Sequence, residues 1–306
     1  MKKALKRLIV GVVALVLIIC IWQHHQTVKI SSKYLLNITN FRYIIDQKSC
    51  QRLKIHPLAL IVVHSAPGNA QKRRVIRETW GSFTGDTMRV IFLLGTTHPT
   101  QQMALQDEAR LHGDLLQGNF IDDYRNLTYK HTMGLLWSSR ECPEAEFVIK
   151  VVDDDVFVNS PALLGFLAGT PIRDIQCTHL LSNPVIRNVN SPWYVSPEEF
   201  ANATYPRYCS GCGIIYPRNV IGSLLRAVNR LKFFWIDDVF VSGIAREMAG
   251  VAINEIDNKV LQTPLAEEIA SGNANDSLLD QFLYSNEVAE RVLRTLWHKS
   301  QLRTLN

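Results

Sequence analysis

The sequence has no HExxH pair, no P-loop and no Ser-His-Asp signature, which sets aside the metalloprotease, P-loop nucleotidase and serine-hydrolase classes. It lacks an arginine-rich helix, zinc-finger spacing and a basic–aromatic platform, so nucleic acid is not an expected partner. The formal net charge of +5 does not argue otherwise, because Lys2, Lys3, Lys6 and Arg7 supply part of it at the very start. Internal repeats and low-complexity tracts are absent. Cysteine is scarce, six in 306 residues. The Cys-x-x-Cys of Cys209 and Cys212 has no second such pair and no nearby histidine pair. Zinc and thioredoxin-like redox chemistry are therefore weaker readings than a structural disulfide through one of the two.

What is present starts with one uninterrupted apolar run, Leu8 to Trp22, directly behind the basic cluster. At about 1.5 Å per residue it is short for a hydrocarbon core of roughly 30 Å, but thin early-secretory membranes accept shorter spans. Gln23-His24-His25-Gln26-Thr27 offers no small-x-small cleavage site, so an uncleaved signal anchor is expected. The positive charges before it place the N-terminus in the cytosol and the remainder in the lumen. Sequons at Asn37, Asn126, Asn202 and Asn275 fit that address. Cys20 lies within the run; Cys50, Cys142, Cys177, Cys209 and Cys212 remain, and five cannot all pair within one chain. The expected division is a cytosolic tail (1–7), a transmembrane anchor (8–22), a polar stem (23–55) and a lumenal domain (56–306). A composition of 47% hydrophobic residues is ample for one large core.

Within 56–306, apolar runs of strand length alternate with helical segments. Strands are expected at Leu58–Val63, Met88–Leu94, Asp114–Gln117, Phe147–Val152, Thr178–Leu181 and Ile214–Tyr216. Helices are expected at Ala70–Trp80, Pro99–His112, Asn126–Arg140, Pro161–Leu167, Pro217–Arg230 and Leu278–Leu296. The alternation predicts a doubly wound α/β sheet, in which ligands bind at the carboxyl ends of the strands.

Asp153-Asp154-Asp155 stands at such an end, after the run Phe147–Val152. Adjacent carboxylates repel one another, and oxygen ligands on a tight turn suit Mg²⁺ or Mn²⁺. A solvated acidic turn is the plain alternative. Asp237-Asp238 is a second acidic pair beside an apolar segment, read as a general base or as an acidic helix N-terminus. Arg73, Arg74 and Arg77 lie on the first helix, either to meet a diphosphate or as a solvated basic face. Trp193, Tyr194, Tyr208 and Trp235 are aromatic residues suited to sugar faces or to core packing. The glycines of Tyr205-Pro-Arg-Tyr-Cys-Ser-Gly-Cys-Gly213 permit close backbone approach to a ligand.

Several stretches carry a resemblance: Arg74-Val-Ile-Arg-Glu-Thr-Trp-Gly81, Val90-Ile-Phe-Leu-Leu-Gly95, Gly118 to Lys130, Asp153-Asp-Asp-Val-Phe-Val-Asn159, Trp193-Tyr-Val-Ser196, Tyr205 to Gly211, and Asp238-Val-Phe-Val241. Their order and spacing from residue 58 to about 250 resemble the β-1,3-glycosyltransferases of family 31. The resemblance implies a GT-A type, Rossmann-like fold and a UDP-sugar donor. It implies Mn²⁺ at Asp153 and Asp155, donor contacts from Asp153, Asp154, Arg74 and Arg77, and an inverting general base at Asp238. Acceptor contacts are expected from Trp193, Tyr194, Tyr208 and Asp237. Cys142 and Cys209 match family cysteines and are expected in disulfides, with each other as the first guess. The implied activity is inverting transfer of a hexose, most simply galactose from UDP-galactose, to the 3-hydroxyl of a terminal GlcNAc or GalNAc, by a single-pass type II protein of the Golgi membrane. N-acetylglucosamine transfer to galactose is the alternative within the class; a catalytically silent lumenal binding or chaperone protein is the alternative outside it. Three departures stand out. Asp237 replaces the usual Glu, and Cys212 replaces a common glycine. Lys150 lies three residues before Asp153 rather than two, which calls for a strand bulge or a side chain facing elsewhere.

Overall fold

Long branched and aromatic runs build the centre of the molecule, seen in a computed structural model that describes residues 41–83, 87–153, 156–169 and 171–304. The strands are β1 (Tyr43–Ile45), β2 (Ala59–His64), β3 (Met88–Thr96), β4 (Leu115–Ile121), β5 (Phe147–Val152), β6 (Phe157–Val158), β7 (Ile175–Cys177), β8 (Leu180–Leu181), β9 (Tyr208–Cys209), β10 (Ile214–Pro217), β11 (Ile253–Glu255), β12 (Val260–Leu261) and β13 (Tyr284–Ser285). The α-helices are α1 (Cys50–Leu53), α2 (Ala70–Glu78), α3 (Pro99–His112), α4 (Leu127–Glu141), α5 (Ser160–Gly169), α6 (Arg218–Val228), α7 (Arg246–Ala249), α8 (Thr263–Ser271) and α9 (Glu290–Thr304).

Eight strands form one mixed sheet in the order β1-β4-β3-β2-β5-β10-β7-β11. β4, β3, β2 and β5 run parallel, whereas β10 is antiparallel to β5 and β7. From β2 the chain moves outward through β3 and β4, then returns to place β5 on the other side. The crevice between the carboxyl ends of β2 and β5 is therefore the switch point of the sheet.

Both faces of the sheet are covered, which is why the central strands read as unbroken apolar runs. Leu60 and Val62 pack with Met133 and Trp137 of α4 and Leu224 of α6. Ala59, Ile61 and Val63 face the other way, with Val75 of α2, Leu163 of α5 and Leu296 of α9. Burying each large apolar side chain contributes about 1.5–3 kcal/mol. α3 starts with Pro99 in its first turn and ends on Gly113, whose φ of 65° is the left-handed cap that favours glycine.

Two expectations need correction. The single helix over Leu278–Leu296 is instead a 3₁₀ segment (Asp276–Gln281), strand β13 and helix α9. Pairing of Tyr284 with Val158 overrides the local helical period, and Asn159 donates to the carbonyls of Leu279 and Phe282. The segment 43–53, expected in the stem, is part of the folded domain. β1 pairs with β4, Cys50 is bonded to Cys142, and the Trp137 indole donates to Asp46. A three-residue strand carries too little periodicity to be seen.

Cys142 and Cys209 are both disulfide-bonded but not to each other: the pairs are Cys50–Cys142 and Cys177–Cys209. Cys142 caps α4 beside α1, whereas Cys209 lies on β9. Cys212 is free. Asn202 and Asn275 are exposed. Asn126 instead donates to the Ile121 carbonyl, and Thr128 of its sequon is buried, donating to Phe234. Asn37 and the apolar run 8–22 lie outside the described residues. Among the described residues no helix is long and apolar enough to cross a membrane.

Candidate active site

The switch point is held from several sides. At the end of β5 the Asp153 amide donates to the His64 carbonyl at 3.1 Å, stitching the two strand ends together. The Asp153 carboxylate is nearly buried and accepts from Asn69 Nδ2 at 3.2 and 3.1 Å. Asp154 and Asp155 lie outside the described residues. Where the described chain resumes, the Trp80 indole donates to the Val156 carbonyl at 3.0 Å, and Ser160 donates to the Trp80 carbonyl. The Arg-Glu-Thr-Trp stretch is thus bonded to Val156 and Ser160, a link between two motifs that spacing does not reveal.

The loop after β2 is clamped by two buried cations. Arg73 donates to Ser65 Oγ at 3.0 Å and to the Ala66 carbonyl at 2.6 Å while paired with Glu108 at 2.7 Å. Lys130 donates to the Ser65 carbonyl and pairs with Asp122 at 3.0 Å. The arginines expected at the donor do something else. Arg74 is exposed and paired with Glu78. Arg77 pairs with Asp114 and Glu108 and lies over the Phe92 ring. Asp114 precedes β4 and so stands at the opposite end of the parallel strands from Asp153. α2 runs back from the end of β2, which leaves Arg73 near the switch point and carries Arg77 one turn away.

The second acidic pair opens a helix whose next residues, Val239–Ala245, form a π-helical turn. Such turns are rare and concentrate at functional sites. Ser242 donates to the Asp238 carbonyl at 2.6 Å and accepts from the Cys209 amide at 2.9 Å. Lys150 settles the question its spacing raises. The pairing of β2 with β5 runs unbroken from Ala59↔Phe147 to His64↔Val152, so there is no bulge. The Lys150 ammonium points to the acidic pair, 3.0 Å from Asp238 Oδ1 and 3.4 Å from Asp237 Oδ2.

Asp237 is buried, with His131 Nδ1 at 2.8 Å from its Oδ2 and His131 Nε2 at 3.0 Å from the Tyr216 hydroxyl. This corrects the acceptor contact expected of Asp237: its carboxylate faces inward. Burial by itself favours the neutral acid, yet Lys150 and then His131 hold Asp237 well below the usual carboxylate range. Asp238 goes the other way, pushed up to about 7 by burial and then by the Asp237 charge. Burial also lowers His131, which is neutral as a result. His64, His131 and Asp237 each present a ligand atom within 4.8 Å of the others, a group that could hold a metal ion. A cation already stands beside that carboxylate, however, because Lys150 is 3.4 Å away.

Asp238 lines a cleft of about 340 Å³ walled by Tyr124, Asn183, Trp193, Tyr205 and Tyr208. Trp193 is 51% exposed, and its indole donates to the Tyr124 hydroxyl at 3.0 Å. Asn183 donates to the Tyr208 hydroxyl at 3.2 Å. Trp193 and Tyr208 line this cleft together with Asp238, whereas Tyr194 and Trp235 are not in the wall. Tyr124 and Asn183 are additions that sequence order could not place. Gly211 closes over the acid: a Cβ there would stand 2.7 Å from Lys150 Nζ and 2.8 Å from Asp238 Oδ2. The close approach that requires this glycine is therefore to the protein's own charged pair.

Fold and site describe a mixed α/β protein with its polar chemistry gathered at the switch point of the sheet. The chain belongs to the galactosyltransferase family, whose profile matches residues 71–257. It is 38% identical over 205 residues to human acetylgalactosaminyl-O-glycosyl-glycoprotein beta-1,3-N-acetylglucosaminyltransferase, a match covering 63% of this chain and 53% of that protein. It is 32% identical over 216 residues to beta-1,3-galactosyltransferase 2 of Mus musculus, covering 67% and 50%. Against beta-1,3-galactosyltransferase 5 of Pan paniscus the figures are 30% over 243 residues, 74% and 79%. The chain spans about half the length of the first two of these relatives.

Proposed function

We propose that this chain is an inverting β-1,3-hexosyltransferase that moves galactose from UDP-galactose to the 3-hydroxyl of a terminal GlcNAc or GalNAc. The observation that carries the reading is Asp238: a carboxylate 21% exposed, held by Lys150 at 3.0 Å and opening on an aromatic cleft. A sugar stacked on Trp193 and Tyr208 brings a hydroxyl to that carboxylate, which takes its proton as the oxygen attacks the anomeric carbon. The bond to UDP breaks on the opposite face, through an oxocarbenium-like state. One base suffices for inversion, and no second carboxylate is required as a nucleophile.

Asp153 with Asp155 is the preferred site for Mn²⁺. Asp153 fits: it is a nearly buried hard-oxygen ligand at the switch point, approached by the neutral Asn69 amide. The chemistry Mn²⁺ would supply there is neutralisation of the departing diphosphate. His64, His131 and Asp237 are the poorer choice because of Lys150. Anchoring in the Golgi membrane through residues 8–22, with the catalytic part lumenal, completes the proposal.

N-acetylglucosamine transfer to galactose is the second reading; its donor, though not its acceptor, is favoured by the names of the relatives at 36% and 38% identity, both N-acetylglucosaminyltransferases. The deciding experiment measures UDP release by the full chain with UDP-galactose and UDP-GlcNAc, each offered β-GlcNAc, GalNAc and galactose acceptors, with and without Mn²⁺. Acceptor-dependent release from UDP-galactose supports the first reading. Release from UDP-GlcNAc with galactose replaces the donor and keeps the mechanism. A protein that binds UDP yet turns over no pair contradicts the catalytic reading.

A further inference from the structure

We propose that Lys150 is a positioning residue for the Asp238 base, clamping one carboxylate oxygen from inside the sheet while His131 and Tyr216 fix Asp237 in the same clamp. The inference rests on Asp238 being the base.

Lys150 occupies a central strand, opposite Val62 of β2 on one side and Ile214 of β10 on the other. Strand alternation puts it on the face of Val148, the face covered by α4, where His131 lies. Its side chain is 3% exposed. A buried ammonium is tolerated only with counter-charges, and here it has two, Asp237 and Asp238. The benefit is mutual. Two adjacent carboxylates with no cation between them would share a proton, leaving no competent base.

The hydrogen-bond directions form one chain. Neutral His131 donates from Nδ1 to Asp237, so its Nε2 accepts from the Tyr216 hydroxyl. With Asp237 so held, Lys150 is oriented from behind and presents itself to Asp238 Oδ1. The charged and titratable groups around this clamp are His64 on β2, Lys130 and His131 on α4, Tyr208 on β9, Tyr216 on β10, Asp237 and Asp238 at the helix start, and the Cys212 thiol on the adjoining loop. Lys150 is the cation among them that touches the base.

The test compares full-length wild type and Lys150→Met in acceptor-dependent UDP release across about pH 5–9. The expected result is a kcat lower by about tenfold or more at neutral pH, with the acid limb moved up by about one pH unit or more, so that activity recovers in alkali. KM for the donor stays unchanged. A loss equal at every pH, or an unmoved limb, overturns the inference, because a merely structural lysine behaves that way. If Lys150→Met does not fold, Gly211→Ala carries the test, since its Cβ forces Lys150 Nζ and Asp238 apart from a loop. The same alkaline displacement is expected, and an unchanged profile contradicts it. Carbon-13 NMR titration of the Asp238 carboxyl in metal-free protein reads the same shift without turnover: a higher midpoint in the variant supports the clamp, and an unchanged one overturns it. Asp238→Asn separates the two levels. If it retains activity, the base assignment itself fails. If it is inactive while the Lys150→Met limb has not moved, only the clamp fails.

Discussion

Asp238 and Asp237 are neighbours of the same type with opposite electrostatic fates. Asp237 is enclosed by a lysine and a histidine and stays ionised, whereas Asp238 is raised to about 7 by burial and by Asp237. A raised carboxyl pKa means the base is protonated, and idle, on the acid side. Turnover should therefore climb as pH rises through about 7 and fall away below it, which a kcat/KM profile reads directly. Trp193 makes a different prediction. It is half exposed on the rim of the cleft, and under the proposed function it offers contact area to an acceptor. Trp193→Ala is expected to raise the acceptor KM about tenfold, in line with about 1–2 kcal/mol of lost stacking, and to leave the donor KM alone. An unchanged acceptor KM would move the acceptor elsewhere.

Among the elements, the ones that matter most to the site are those that hold others. Arg73 fixes the loop after β2 through Ser65 and Ala66. Its removal leaves Glu108 still paired with Arg77 at 2.7 Å, so Arg73→Met should cost about 3 kcal/mol, the lower end for breaking a buried pair. Thermal unfolding measures this, and a melting temperature within a degree or so of wild type would contradict it. The Cys50–Cys142 disulfide ties the segment before β2 to the end of α4 across a separation of 92 residues. Cys50→Ser is expected to cost about 2–5 kcal/mol in denaturant unfolding. Continuous apolar runs made β2, β3 and β5 readable from sequence, and Pro99 and Gly113 marked the ends of α3. The two-residue strands β6, β12 and β13 were not readable, because two residues carry no period and the pairing of β13 with β6 depends on a partner over a hundred residues away. The arginines were misassigned for a similar reason. Spacing shows that Arg73 and Arg77 share a helix face, but not which end of the sheet each one reaches.

For the molecule as a whole, the sheet order explains why the motifs work together. β5 inserts beside β2, so that His64 and Lys150 meet α4 and the helix start at 237–238, while Asp153 is bonded to the end of β2. The acidic triple and the Asp237-Asp238 pair were legible as residues. The Lys150 clamp, the inward turn of Asp237 and the Tyr124 wall required the third dimension. If Asp153 and Asp155 hold Mn²⁺, chelation should abolish transfer, and readdition of Mn²⁺ should restore it with the fold unchanged by circular dichroism. Full activity in a chelator would contradict that site.

The central claim is that Asp238 removes the acceptor proton. The most direct measurement is kcat for Asp238→Asn with UDP-sugar binding determined in parallel. The account predicts a loss of about 10²–10⁴-fold in kcat with donor affinity retained. A variant that turns over within a few-fold of wild type would contradict it.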